Sequence, residues 1–255
     1  HGLYGVNRYS EIMTQGERVI AVSDTVRDYI LREYPDTLPV RIQVIYRGVE
    51  GKAYPHGWKP DPAWQQAFAA QFPQAAGKQL VTLPGRITRL KGHEDFIELI
   101  ARLKRRGLAV HGLIVGGAST SKLRYLQKLR DRVRSMGLES DISFTGQRDD
   151  LKNILAISNL VLSLSTQPES FGRTTLEALR LGVPTAGYDH GGVGEILRTI
   201  YPEGLLTLGD FDAATKCIAT LLQQPSPVPD DDFYPLRNML SQTLELYEQL
   251  ARAPR

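Results

Sequence analysis

Residues 160–197 read LVLSLSTQPESFGRTTLEALRLGVPTAGYDHGGVGEIL. A short apolar run, Leu160 to Ser165, breaks at a proline-bearing loop, passes into helical spacing near 172–181, and returns to a second apolar run at Thr185 to Tyr188. Strands that are apolar on both faces and alternate with helices belong to a parallel sheet covered on both sides. The loop carries Glu169, the helix carries Glu177, and residues Phe171 to Thr174 at the helix start supply backbone N–H groups that no preceding turn can satisfy. Such donors, with the helix dipole behind them, suit an anion such as a phosphate. A carboxylate inside the helix can accept the two O–H groups of a vicinal diol such as ribose. The same stretch also reads as an ordinary helix with acids in its first turns.

The rhythm extends outward in both directions. Strands are predicted at Arg18 to Val22, Arg41 to Tyr46, Gln79 to Pro84, Val110 to Val115, Asp141 to Thr145, Leu160 to Ser165, Thr185 to Tyr188 and Leu205 to Leu208. Helices are predicted near 24–33, 61–71, 92–106, 120–136, 149–157, 172–181, 192–199 and 211–223, with a last one over Leu236 to Leu250. The fold class is α/β, a Rossmann-like parallel sheet with helices on both faces, and ligands of such sheets bind at the carboxyl ends of the strands. The Gly- and Pro-rich stretch from Arg47 to Pro62 reads as a linker. It gives a division into residues 1–50, a remnant of another domain with the start of the linker; 51–232, the ligand-binding domain; and 233–255, a return helix that folds back over the linker or the first segment. The chain opens HGLYGVNRYSEIM without an initiator Met, so it is expected to be a fragment whose upstream part lies outside this sequence.

Composition excludes several classes. The formal net charge of +3 is spread over alternating basic and acidic residues, which argues against a nucleic-acid footprint and suits an anionic small ligand or an anionic membrane surface. The single cysteine, Cys217, can form neither an internal disulfide nor a Cys-based zinc site, and points to the cytosol. The five histidines show no paired ligand spacing, so no metal is expected. No apolar run approaches the ~18 residues that a membrane span needs, and no signal peptide is legible.

Three more strand ends carry candidate chemistry. After Pro84 comes GRITRLKGHEDF, placing Gly85, Arg86 and Lys91 beside a helix start, where a guanidinium and an ammonium can converge on a diphosphate. Two solvated cations at a turn is the plain alternative. The next strand ends in IVGG with Gly116 where backbone must approach closely, and the third in FTGQRDD, with Gln147 or Arg148 over the same sheet edge where a nucleobase could rest. Asp149 and Asp150 read as acids at the next helix start. DHGGVGEIL, with Glu195, reads as another helix start, and the Asp230 to Asp232 run as a solvated turn and not a metal-binding pair.

PESFGRTTLEALRLGVP with its E-x7-E spacing, preceded by GRITRLKG and IVGG, strongly resembles the retaining nucleotide-sugar glycosyltransferases of family 4, which have the GT-B fold of two Rossmann-like halves. RVIAVSDTVRDYI and VIYRGVE resemble the segment where that family's first domain ends. The resemblance implies transfer of a hexosyl unit from a UDP- or GDP-sugar to an acceptor hydroxyl on a glycan or glycolipid, without a metal or other cofactor. It implies that Arg86 and Lys91 bind the donor diphosphate, that Glu169 contacts the transferred sugar, and that His1 reaches it from the first domain. Ser170, Phe171, Gly172, Arg173 and Thr174 would hold sugar and phosphate, and Glu177 the ribose. Ser170 stands where the family commonly has Gly, Arg173 where it has an apolar residue, and Tyr46-Arg47-Gly48 where it has Pro-Asn-Gly. These departures are similar to the branch that builds bacterial lipopolysaccharide and surface polysaccharide, which would place the protein in the cytoplasm with any membrane contact peripheral and through the upstream half. Two other readings are a nucleotide-sugar epimerase of the same fold and a binding module, a fragment that holds a nucleotide sugar without transfer. A nicotinamide oxidoreductase would require a GxGxxG after the first strand and an acid ~20 residues on, and neither is present.

Overall fold

The computed structural model describes residues 2, 3 and 5–252. In chain order the elements are α1 (Arg8–Ile12), β1 (Val19–Ala21), α2 (Asp24–Glu33), β2 (Ile42–Val44), α3 (Pro62–Gln71), β3 (Gln79–Pro84), α4 (His93–Arg105), β4 (Val110–Val115), α5 (Leu123–Ser135), β5 (Ile142–Gly146), α6 (Leu151–Ala156), β6 (Leu160–Ser163), α7 (Arg173–Arg180), β7 (Thr185–Tyr188), α8 (Gly191–Ile200), β8 (Leu205–Leu206), α9 (Phe211–Gln223) and α10 (Leu236–Arg252). The predicted α/β class is the observed one. Strand β6 stops at Ser163 because the chain then turns over the sheet edge, and β8 keeps only two residues. Helix α1 was not legible: it rests on Asn7, whose side chain accepts from the backbone of Tyr9 and Ser10 while Ser10 Oγ accepts from Asn7 N, a reciprocal cap on a five-residue helix without apolar periodicity.

Six strands form one parallel sheet in the order β5-β4-β3-β6-β7-β8. Counted from β3 this is the 3-2-1-4-5-6 order of a doubly wound sheet, and the order reverses between β3 and β6, which is where such sheets open a crevice. The buried lengths of β3 and β4 are apolar apart from Thr82 and His111, and Phe96, Leu99, Ile100 and Leu103 of α4 with Leu176 and Leu179 of α7 belong to the buried core that covers them. Phe68 of α3 and Phe72 just after it cover the other face with Leu80, Leu113 and Ile154.

The first segment forms a two-stranded parallel pair, β1 with β2, and packs on the large sheet's unit through α2 and α8. Glu195 of α8 accepts from the backbone N–H groups of Asp24 (3.1 Å) and Thr25 (2.6 Å), so an acid from one unit caps a helix of the other. The stretch 47–62 is stitched down: Val49 pairs with Pro235, Gly57 N donates to Leu181 O, and Trp58 Nε1 donates to Asn153 Oδ1. The chain just before α10 thus lies along the linker. Of the three acids before α10, Asp230 and Asp231 are exposed, while Asp232 is held by Arg180 at 3.1 Å and Arg237 at 2.6 Å.

Two loops meet at the crevice through one glycine. Gly92 has φ +68, and a β-carbon there would lie 1.9 Å from the Leu164 carbonyl oxygen. Gly137 at the end of α5 has a similar φ of +65 with nothing within 4 Å. Alanine at Gly137 is therefore expected to cost about 1 kcal/mol of unfolding free energy, the left-handed penalty alone. Alanine at Gly92 adds a backbone collision and is expected to cost more than about 3 kcal/mol, read by urea unfolding at unchanged m; equal losses at the two sites would contradict the packing described.

Candidate functional site

The carboxyl ends of β3, β4 and β5 lie side by side. Gly85 N donates to Val115 O at 2.8 Å, Ile87 N to Gly117 O at 2.9 Å, and Gly116 N to Gly146 O at 3.0 Å. A β-carbon at Gly116 would fall 1.9 Å from the Gly85 carbonyl oxygen, so this approach needs a bare backbone. Across the switch point, Thr166 N donates to Leu90 O at 2.8 Å, tying the loop after β6 to the turn after β3.

This brings Lys91 and Glu169 together. Lys91 Nζ lies 2.7 Å from Glu169 Oε1, which also accepts from Ser165 Oγ. Both side chains are partly buried, at 31% and 25% exposed. They line a small cleft of about 20 Å³ with Pro84, Ser163, Gly172, Thr174 and Thr175, at the amino end of α7. Larger hollows exist, such as one of about 270 Å³ lined by Arg102, Arg105 and Asp212, but there Asp212 already pairs with Arg102, and Arg105 with Glu98. Volume does not mark the site; converging unlike groups do.

The helices that follow β3 and β6 start without a side-chain cap, at Gly92 and Gly172, both left-handed. The starts of α5, α6 and α8 also lack a side-chain cap, whereas α1, α2, α3 and α9 are capped by Asn7, Ser23, Asp61 and Asp210. The amino end of α7 therefore keeps N–H donors available beside Lys91. The α8 start does not: Gly192 N donates to Glu169 O at 2.8 Å, so GGVGE packs against the 168–171 loop.

The remaining candidates divide. Arg86 is exposed and its side chain has no hydrogen-bond or ion-pair partner among the described residues, on the same turn as Lys91. Ser170 Oγ accepts from Leu3 N at 3.1 Å. Phe171 is buried and packs edge-on to Tyr234 at 5.7 Å, so only its backbone faces the loop. Arg173 is exposed and donates from Nε to Glu177 Oε1 at 2.9 Å. Glu177 itself is buried, and Tyr54 of the linker, its phenol pushed up by burial and by the Glu177 carboxylate, packs against α7. Gln147 is exposed at the end of β5, next to Gly117. Arg148 turns its guanidinium sideways onto both oxygens of Asp150 (2.8 and 2.6 Å) and onto Gln71, so its side chain is committed away from the edge. Asp150, which stands at the start of α6 as read from the sequence, also accepts from Trp64 Nε1 and so braces α3 against that helix start. His1 lies outside the described residues. Among the described residues no group of three or more His, Cys, Asp or Glu side chains is placed to hold a metal ion.

Ser165 and Thr175 at the cleft were not singled out from sequence. Ser165 sits where the strand pattern continues, and Thr175 is one polar residue on a buried helix face; neither carries a local signal.

His93, two residues after Lys91, is fully buried, with Nδ1 3.1 Å from Thr88 O. Burial lowers its pKa to about 4, against the Thr88 bond and aided by the Lys91 charge. The unfolded chain binds this proton near pH 6.5 and the folded chain only near 4, so stability is expected to fall as pH drops through that window, by roughly 3 kcal/mol in all. His93→Gln should flatten that part of the curve in pH-dependent urea unfolding; an unchanged slope would contradict it.

The profile of a family described as Glycosyl transferases group 1 matches residues 65–242. A D-inositol 3-phosphate glycosyltransferase of Rhodococcus jostii is 31% identical over 219 residues, which are 84% of this chain and 45% of that protein. A glycosyltransferase from Rickettsia africae superposes with a TM-score of 0.82 at 22% identity, over 100% of this chain and 70% of the other. Anabaena HepE, solved with UDP and glucose, gives 0.80 at 23% identity, over 92% and 64%. The chain spans about half the length of the curated relatives it matches. With a GT-B-type sheet and a profile match over most of its length, the chain belongs to the glycosyl transferases group 1 family.

Proposed function

We propose that this chain is the donor-binding part of a retaining, family 4 glycosyltransferase that moves a hexosyl unit from a nucleotide diphosphate sugar to an acceptor hydroxyl. The observation that carries the reading is the meeting of Lys91 and Glu169 at the switch point, beside the uncapped amino end of α7. Family membership supports it, as does the likeness to a fold solved with UDP and glucose.

In this reading the diphosphate sits against Lys91, Arg86 and the N–H groups of residues 171–174. Charge grows on the leaving diphosphate as the glycosidic bond to the sugar breaks, and fixed cations and amide dipoles favour that charge without reorganising. Because the protein supplies the cations, no step needs a metal. Glu169, held by Lys91 and Ser165, faces the sugar, and the Glu177 carboxylate, with Oε2 left over from Arg173, takes the ribose diol. Gln147 and the backbone around it border the base, which is uracil or guanine. His1 contributes from the acceptor side.

The acceptor is a glycan or glycolipid hydroxyl, and lipopolysaccharide or surface polysaccharide synthesis is the setting suggested by Glu-Ser-Phe-Gly-Arg. The reading places the site in the cytoplasm with any membrane contact peripheral, and no helix among the described residues is long and apolar enough to cross a membrane. An epimerase of the same fold, or a piece that binds without transfer, would show base and sugar binding with no glycosylated product.

In the intact enzyme, Lys91→Ala should lower turnover by about 10²- to 10³-fold in a product assay run over a panel of UDP- and GDP-sugars. Turnover near the wild-type value would refute the role of Lys91. Added EDTA should leave wild-type turnover unchanged, and its loss would show that a metal supplies charge the protein does not.

A further inference from the structure

Thr175 is 2% exposed, lines the cleft that holds Lys91 and Glu169, and its Oγ1 has no hydrogen-bond partner among the described residues. A helical threonine ordinarily returns its hydroxyl to the carbonyl four residues back. Four others in this chain do so: Thr199 to Glu195 O (2.9 Å), Thr215 to Phe211 O (2.6 Å), Thr220 to Lys216 O (3.0 Å) and Thr243 to Met239 O (2.7 Å). Thr175 cannot follow them. Its fourth predecessor, Phe171, lies before the left-handed Gly172 that starts α7, and the Phe171 carbonyl is turned against Gly192, where a β-carbon would fall 2.3 Å from it.

A buried hydroxyl left without a partner is costly, and its persistence calls for a ligand. The cleft names one by size. At about 20 Å³ the space beside Thr175 is enough for one water beneath the donor site. The partners such a water needs are at hand, because Lys91 Nζ uses one of its three donors on Glu169 Oε1, and Glu169 Oε2 has no partner among the described residues.

We infer that Thr175 is a positioning residue: through one water lodged in this cleft, its hydroxyl holds the Lys91–Glu169 pair in the geometry that meets the donor. The inference rests on the proposed transferase reading for its kinetic consequence, but not for the water itself. It explains why a polar residue sits on the buried side of α7, lining the cleft with the strand residues Val161 and Leu162.

The test compares the intact wild-type enzyme with Thr175→Val, which keeps the shape and removes the hydroxyl, and Thr175→Ser, which keeps the hydroxyl. Thr175→Val is expected to lower kcat about tenfold with donor KM changed less than about twofold, the size of effect typical when a group supporting a functional side chain is removed. Thr175→Ser should restore kcat to within about twofold. Wild-type kcat in Thr175→Val, or an equal loss in both variants, would overturn the positioning role. Crystals of the wild-type protein diffracting to high resolution should show one water bonded to Thr175 Oγ1 and to Lys91 or Glu169, and those of Thr175→Val should lack it. A dry cleft in the wild type overturns the inference whatever the enzyme transfers. A wet cleft in an enzyme that turns over no nucleotide sugar upholds the water and sinks the transferase reading instead.

Discussion

One ion pair across the sheet's reversal point organises the molecule's carboxyl edge. Lys91 follows β3, Glu169 follows β6, and these two strands are neighbours only because the chain crosses from one side of the sheet to the other between them. An isolated exposed pair of this kind contributes little to stability. Here the pair is partly buried, shared with Ser165 and set beside free helix N–H groups, an arrangement that stores positive potential where an anion can replace or join the carboxylate.

The same edge is built by backbone approach more than by side chains. Gly92 against Leu164, Gly116 against Gly85 and Gly192 against Phe171 let four loops occupy a space that β-carbons would fill. The cost is backbone that wants other conformations when unfolded; the return is that polar groups from distant sequence positions sit within a few ångströms of one another. On the far side, Glu195 capping α2 and the Tyr46–Tyr234–Phe171 ring contacts join the first segment to the loop that carries Glu169. A displacement of that segment is thereby mechanically linked to the site.

Much of this was legible in the sequence because its signals are periodic or local. Apolar runs such as VTLP and LIVG announce buried parallel strands, and the spacing of Glu169 and Glu177 survives as a loop acid and a helix acid. What sequence could not show is orientation. Arg148 and Arg86 are alike as letters, yet one folds sideways onto Asp150 while the other stays unpaired. Asp230 to Asp232 read as a solvated turn, but Asp232 holds two arginines brought from 52 residues upstream and 5 downstream in Arg180 and Arg237. Thr175 became informative only once the carbonyl it would ordinarily use was seen to point elsewhere.

The most direct measurement is a crystal structure of the intact protein with a nucleoside diphosphate bound. Density for the diphosphate is expected between Lys91, Arg86 and the amide groups of residues 171–174, with the ribose on Glu177. A diphosphate seated at the amino ends of the strands, or one at the carboxyl edge that leaves Lys91 paired only with Glu169 and Arg86 turned to solvent, would contradict the assignment.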